Sequence, residues 1–187
     1  NAYQPFACEG GHTDFAPRNE LEIELLRYLL ARFGRVSYER VLSGPGLHTL
    51  YQFFRDTGRG VEPPWLAEEV TQRDPAAVIS QAGLEEKNEL CVQALNLFAT
   101  LYGAEAGNLA LKVMATGGVF IGGGIAPKIL PKLEEPFVLE AFFAKGRMRP
   151  LLEAMPVRVI TNPKVALCGA AMHALGLSRD RALRPRS

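Results

Sequence analysis

Three short runs hold residue types that could do chemistry on a small polar molecule. The first is Glu9-Gly10-Gly11-His12. A polyhydroxylated ligand such as a sugar presents groups that both donate and accept, so its site needs carboxylates to accept and an imidazole that can do either. The tetrapeptide supplies both, and its two glycines allow a sharp turn that a ligand can approach closely. The second run is Ser37-Tyr38-Glu39-Arg40-Val41-Leu42-Ser43-Gly44, in which Glu39 is the acid of interest. The third is Phe120-Ile121-Gly122-Gly123-Gly124-Ile125-Ala126-Pro127, where glycines between a strand and a helix would bring backbone amides up to a nucleotide.

Each run also has an ordinary explanation when taken alone. Glu9 and His12 could simply face solvent from a Gly-Gly turn, and four residues are few. A carboxylate in the first turn of a helix is favoured by the macrodipole, which accounts for Glu39 without a ligand. The glycine run could be a tight strand-to-helix turn. Gly122 and Gly124 fit the start of a dinucleotide pattern, but Pro127 stands at its third glycine, and the loop lies late in the chain. NAD binding is therefore discounted.

The elements that must position these runs follow from periodicity. Ala2 to Cys8 reads as a strand end entering a loop, and Asn19 can cap a helix over Glu20 to Phe33 that Gly34 stops. Ser37 is a candidate N-cap of a short helix through Val41 and Leu42; Ser43-Gly44-Pro45-Gly46 breaks it, and Leu47 restarts a helix ending near Gly58. One or two short helices are expected around Pro75. From Glu85 to Ala115 an apolar stripe predicts a long helix packed on a sheet, with Gly103 and Gly107 spaced to admit another backbone. Gly117 to Ile121 reads as a buried strand leading through Gly122–Gly124 into a helix around Lys128 to Leu133. Helical segments follow at Phe142-Phe143 and Leu151-Leu152, then a strand over Pro156 to Ile160 and a small-residue helix from Val165 to Leu177. Strands alternating with more abundant helix predict an α/β domain.

The 187 residues, 48% of them hydrophobic, suffice for one substantial core. A formal charge of +1 gives no basic face for nucleic acid. Positive charge gathers only at residues 178–187, where Arg179, Arg181, Arg184 and Arg186 face one acid, Asp180, and a solvated, disordered tail is expected. Cys8, Cys91 and Cys168 are far apart, in no metal-binding spacing, and suit a reduced, cytoplasmic setting. No apolar run reaches the roughly 18 residues of a membrane span. The chain opens on Asn1, not Met.

Taken together, the three runs resemble the bacterial glucokinase family. Glu9-Gly10-Gly11-His12-Thr13-Asp14-Phe15-Ala16-Pro17 resembles its sugar-binding loop, Glu39-Arg40-Val41-Leu42-Ser43-Gly44-Pro45-Gly46-Leu47 its next segment, and Gly117 to Ile125 its adenosine-side loop, with the likeness running from about Cys8 to Leu175. The resemblance implies the large C-terminal lobe of an actin-like ATPase (ribonuclease H-like) fold, helix-rich around a central sheet, over residues 1–177. It implies transfer of the ATP γ-phosphoryl group to the 6-hydroxyl of glucose with Mg as cofactor, and a possible homodimer. Glu9, His12 and Glu39 become the substrate-binding residues, and Gly122, Gly123 and Gly124 the nucleotide-binding backbone. No residue matches the family's catalytic Asp, and its Asp-x-Gly-Gly-Thr phosphate loop is absent, so the chain is expected to be an inactive fragment of a longer enzyme. Related kinases and repressors that follow a Glu-x-Gly-His loop with a zinc-binding cysteine cluster fit less well, because none follows His12. A non-catalytic sugar-binding regulator on the same fold, or a kinase for another hexose, are the alternatives.

Overall fold

The structure, a computed structural model, describes residues 5–182, with side chains described as far as Gly176. The strand end expected over Ala2 to Cys8 falls partly outside the described residues; from Pro5 to Glu9 the chain is irregular. Residues 183–187 of the basic tail also lie outside them.

Helix α1, Glu20–Phe33, begins where Asn19 accepts a hydrogen bond from the Glu22 amide at 3.0 Å and ends where the Gly34 amide closes on the Leu30 carbonyl. A cap of this kind satisfies an amide that the first turn leaves without an intrahelical partner. Helix α2, Gly44–Asp56, starts earlier than the sequence suggests: Ser43-Gly44-Pro45-Gly46 is its opening turn and not a break. The reason is local. Ser43 Oγ accepts from the Gly46 amide at 3.0 Å, and Pro45 occupies a first-turn position where an N–H would have no partner anyway. Helices α3, Pro64–Gln72, and α4, Pro75–Leu84, flank the Asp74 cap.

Helix α5, Glu89–Val113, is capped by Asn88 and runs 25 residues, roughly 37 Å at 1.5 Å per residue. It is the axis of the molecule, packed by α2 and α4 along its first half and by α7, Pro136–Phe143, along its second. Gly103 and Gly107 make the second packing possible. A Cβ at Gly103 would collide with the Val138 carbonyl, and one at Gly107 would sit 2.5 Å from the Phe142 carbonyl. Around this axis Leu25, Leu29, Leu50, Tyr51, Phe53, Leu95 and Phe98 are fully buried in one apolar cluster.

The sheet is small and parallel: β1, Val119–Ile121, lies beside β2, Val157–Val159, with Val119 opposite Val157 and Ile121 opposite Val159. The connection between them carries α6, Leu130–Leu133, then α7, then α8, Arg149–Glu153. Instead of lying flat on a sheet, α5 is surrounded mainly by helices, and Ala106, Ala110 and Leu111 in its second half share a cluster with Val119 and Val157. Helix α9, Val165–Ala182, is the last element among the described residues, and every side chain described from Thr161 to Gly176 is exposed. The molecule is thus a helix-rich α/β unit with a two-stranded sheet among its described residues.

Candidate functional site

Glu9, His12 and Glu39 come together, although 27 residues separate the last two. Gly10–His12 form a single 3-10 turn, closed by hydrogen bonds from the His12 amide to the Glu9 carbonyl and from the Thr13 amide to the Gly10 carbonyl. Ser37 was expected to cap a short helix; its side chain makes no capping bond, and Tyr38–Arg40 form another 3-10 turn. The two turns are joined by an antiparallel bridge between Asp14 and Ser37, with the Phe15 amide on the Val36 carbonyl and the Tyr38 amide on the Thr13 carbonyl, each at 3.0 Å. Arg35 clamps the same seam, pairing with Asp14 at 2.8 Å and donating to the His12 carbonyl.

This seam places His12 between the two acids. Its Nε2 is 3.2 Å from Glu39 Oε2 and its Nδ1 is 3.7 Å from Glu9 Oε2. All three side chains are more than half exposed, so their polar atoms are available to an incoming molecule. Two carboxylates that only accept flank an imidazole that can donate or accept, which is the set a pair of neighbouring hydroxyls requires.

Gly122, Gly123 and Gly124 lie elsewhere, on the loop that leaves the C-terminal end of β1, and all three are exposed. Gly123 has φ +110°, a conformation that side-chain-bearing residues rarely adopt. The helix expected after this loop is reduced to a 3-10 turn, Ala126–Ile129, and the single turn of α6. Pro131 is responsible, since a proline ring starts a new helical segment more readily than it continues one.

Beyond the loop opens a cavity of about 420 Å³ that sequence reasoning did not find. Its floor is apolar, from Leu47, Phe98, Ile125 and Ile129, and its rim carries Ser43, His48, Asp74 and Lys128. Two helix starts meet there, Ser43-Gly44 of α2 and Asp74-Pro75 of α4; the capping residues were visible in the sequence, but not that the two ends face each other. His48 is held below its ordinary pKa, first by burial and then by Arg55 and Arg32, which favours the neutral ring.

The triad and the cavity share one segment. Glu39 stands on the Tyr38–Arg40 turn, and four and five residues after it Ser43 and Gly44 line the cavity. Ser43 Oγ donates to the Glu39 carbonyl at 2.7 Å, so the capping residue of α2 also fixes the turn carrying the acid. Among the described residues no group of three or more His, Cys, Asp or Glu side chains could hold a metal ion, and no helix is long and apolar enough to cross a membrane.

Residues 1–176 match the family described as Glucokinase. The glucokinase of Trichormus variabilis is 50% identical over 190 residues, covering 95% of this chain and 56% of that protein. The glucokinase of Synechocystis sp. is 46% identical over 183 residues, covering 91% of this chain and 52% of that protein. The chain therefore spans about half the length of the curated relatives it matches. Among solved structures, glucokinase from an Antarctic psychrotroph aligns with a TM-score of 0.76 at 36% identity, over 88% of this chain and 48% of the other. Glucokinase from Balamuthia mandrillaris in complex with glucose aligns at 0.72 and 23% identity, over 86% and 44%, a likeness of fold.

Proposed function

The chain belongs to the glucokinase family, and on that premise we propose that it forms the sugar-gripping and nucleotide-facing part of an enzyme that phosphorylates glucose at its 6-hydroxyl from ATP. The observation that carries this reading is the shared segment: the acid triad and the cavity are tied together by Glu39 to Gly44, so an acceptor on one and a donor on the other are held side by side. Phosphoryl transfer depends largely on such positioning, because the attacking oxygen must lie in line with the leaving group.

In this reading Glu9, His12 and Glu39 bind glucose hydroxyls and orient the sugar, and proton acceptance falls to the Asp that the family resemblance assigns outside these 187 residues. The base of ATP enters the cavity against Leu47, Phe98 and Ile125, while Gly122–Gly124 leave room for the ribose and phosphates to pass along the backbone. Magnesium would accompany the donor on its phosphates and neutralise charge there; among the described residues no group of three or more His, Cys, Asp or Glu side chains could hold it. The large lobe of an actin-like ATPase fold is the architecture that unites these parts, and a cytoplasmic setting suits the substrate pair.

The test is a coupled assay on the full-length enzyme carrying Glu9→Gln or Glu39→Gln. Each exchange removes the charge from an acceptor while keeping its shape, and a hydrogen bond to a charged group contributes about 1.5 kcal/mol or more, so glucose KM should rise about tenfold or more. Glucose kinetics unchanged in both variants would refute the placement.

A further inference from the structure

Glu39 is exposed, but the residue before it is not. Tyr38 is 5% exposed and packs edge-on against Phe15 with ring centroids 5.8 Å apart. Its backbone serves both halves of the site: the amide donates to the Thr13 carbonyl, and the carbonyl accepts from the Val41 and Leu42 amides at 3.0 and 2.7 Å. Its side chain points the other way, into a partly buried polar cluster against α5. The Tyr38 hydroxyl accepts from Asn108 Nδ2 at 3.1 Å, and the same amide nitrogen donates to Glu105 Oε2 at 2.8 Å. Asn108 Oδ1 accepts from Lys145 Nζ at 2.6 Å, and that ammonium also donates to the Ala104 carbonyl at 2.9 Å. Glu105 is 8% exposed, and Lys145 is held below its ordinary pKa by burial first, with Arg18 adding to that and Glu105 and Glu22 opposing it.

Polar groups withdrawn from water even in part carry a cost, and an apolar contact of the same shape would often stabilise a fold at least as well. What the cluster provides that apolar packing does not is a fixed geometry, since each hydrogen bond has a direction as well as an energy. It joins the turn bearing Glu39 to α5 and, through Lys145, to the chain just after α7. That junction lies beside the close approach of α5 and α7 at Gly107, where Lys145 itself would touch an added Cβ.

We propose that Tyr38, Asn108, Glu105 and Lys145 form a positioning network that holds the Glu39 turn at the sugar, so that the Tyr38 hydroxyl tunes glucose affinity without touching glucose. The inference rests on the reading of Glu39 as a sugar ligand. It extends that reading to residues 66 to 106 positions further along the chain, none of them in the motifs by which the family resemblance is recognised.

The experiment is steady-state kinetics on the full-length enzyme with Tyr38→Phe, which keeps the ring and its packing on Phe15 and removes one hydroxyl. Glucose KM should rise about two- to tenfold, the range of one net hydrogen bond, with ATP KM and kcat within twofold of wild type. Glu105→Gln, a second near-isosteric change, should act in the same direction, and the double variant should fall short of the product of the two effects because both loosen one network. A lowered Tm with unchanged glucose KM in both single variants would mean that the cluster only stabilises the fold, and the inference would fall. Glu39→Gln measured alongside separates the two claims: if it raises glucose KM while Tyr38→Phe does not, the network is wrong and the sugar site stands. If Glu39→Gln itself changes nothing, the sugar-site reading fails and the network role goes with it.

Discussion

Tyr38 and Cys91 carry protons that the fold releases only well above the ordinary range, and the same burial explains both. Tyr38 is pushed up to about 12, chiefly by burial and then by the neighbouring Glu105 carboxylate. Cys91, fully buried on α5, is also pushed up to about 12, by burial and then by Glu62. Tyr28, Tyr51 and Tyr102 move in the same direction, with burial again the largest cause. In the unfolded chain the thiol ionises near 9.0 and the phenols near 10.0, while the folded chain still holds those protons. Below those values both states are protonated and the contribution to stability is fully present. As pH climbs from there toward about 12 the unfolded state binds fewer protons, so stability falls with rising pH. Denaturant midpoints should stay level to about pH 9 and then decline, and the decline should be shallower in Tyr38→Phe; identical slopes in the two proteins would contradict this. At this scale the sequence is half informative. Glu9, His12 and Glu39 can be picked out because of the runs they stand in and not by residue type, since the chain carries 20 Asp and Glu residues. Asn108 cannot, because an Asn on a helix reads as a surface residue, and the hydroxyl that meets it lies 70 positions away.

Gly103 and Gly107 set the packing of α7 on α5, and here two effects of opposite sign compete. Replacing a helical glycine by alanine favours the helix by about 1 kcal/mol through backbone entropy. The added methyl at Gly103 would meet the Val138 carbonyl, and at Gly107 the Phe142 carbonyl at 2.5 Å; backbone cannot rotate aside as a side chain can. Overpacking of this kind costs about 1–3 kcal/mol or more, so the clash should win. Gly103→Ala and Gly107→Ala are each expected to lower Tm by several degrees, and a raised Tm in either would show that α7 yields. The spacing of these glycines was legible because a four-residue interval on a long helix puts both on one face. Other element-level features were less so. Ser43-Gly44-Pro45-Gly46 has the composition of a break and also that of a capped start, and only the Ser43–Gly46 hydrogen bond decides between them. The long apolar stripe of α5 predicts packing on a sheet, yet helices α2, α4 and α7 cover most of it, because a periodic pattern records a buried face and not the identity of its partner.

For the whole molecule, the question is what one side of a site can accomplish. Glu9 is 90% exposed and Glu39 55%, so a sugar lying on them would keep much of its hydration on the opposite face. Holding a hydroxyl in place is a large share of kinase catalysis, but the transfer also needs a proton acceptor and a barrier to competing water, and kinases obtain the latter by closing a second body over the substrates. The curated relatives are nearly twice as long as the part of them that this chain matches, which leaves a comparable length of polypeptide to supply both. Residues 1–187 on their own are therefore expected to show no ATP- and glucose-dependent turnover, even where the fold is intact by circular dichroism, whereas a protein extended to the length of those relatives should turn over both substrates. A coupled assay at saturating glucose and ATP distinguishes the cases. Turnover by the 187 residues alone would mean that Glu9 or Glu39 can itself accept the hydroxyl proton, and would move these two carboxylates from holding the sugar to reacting with it.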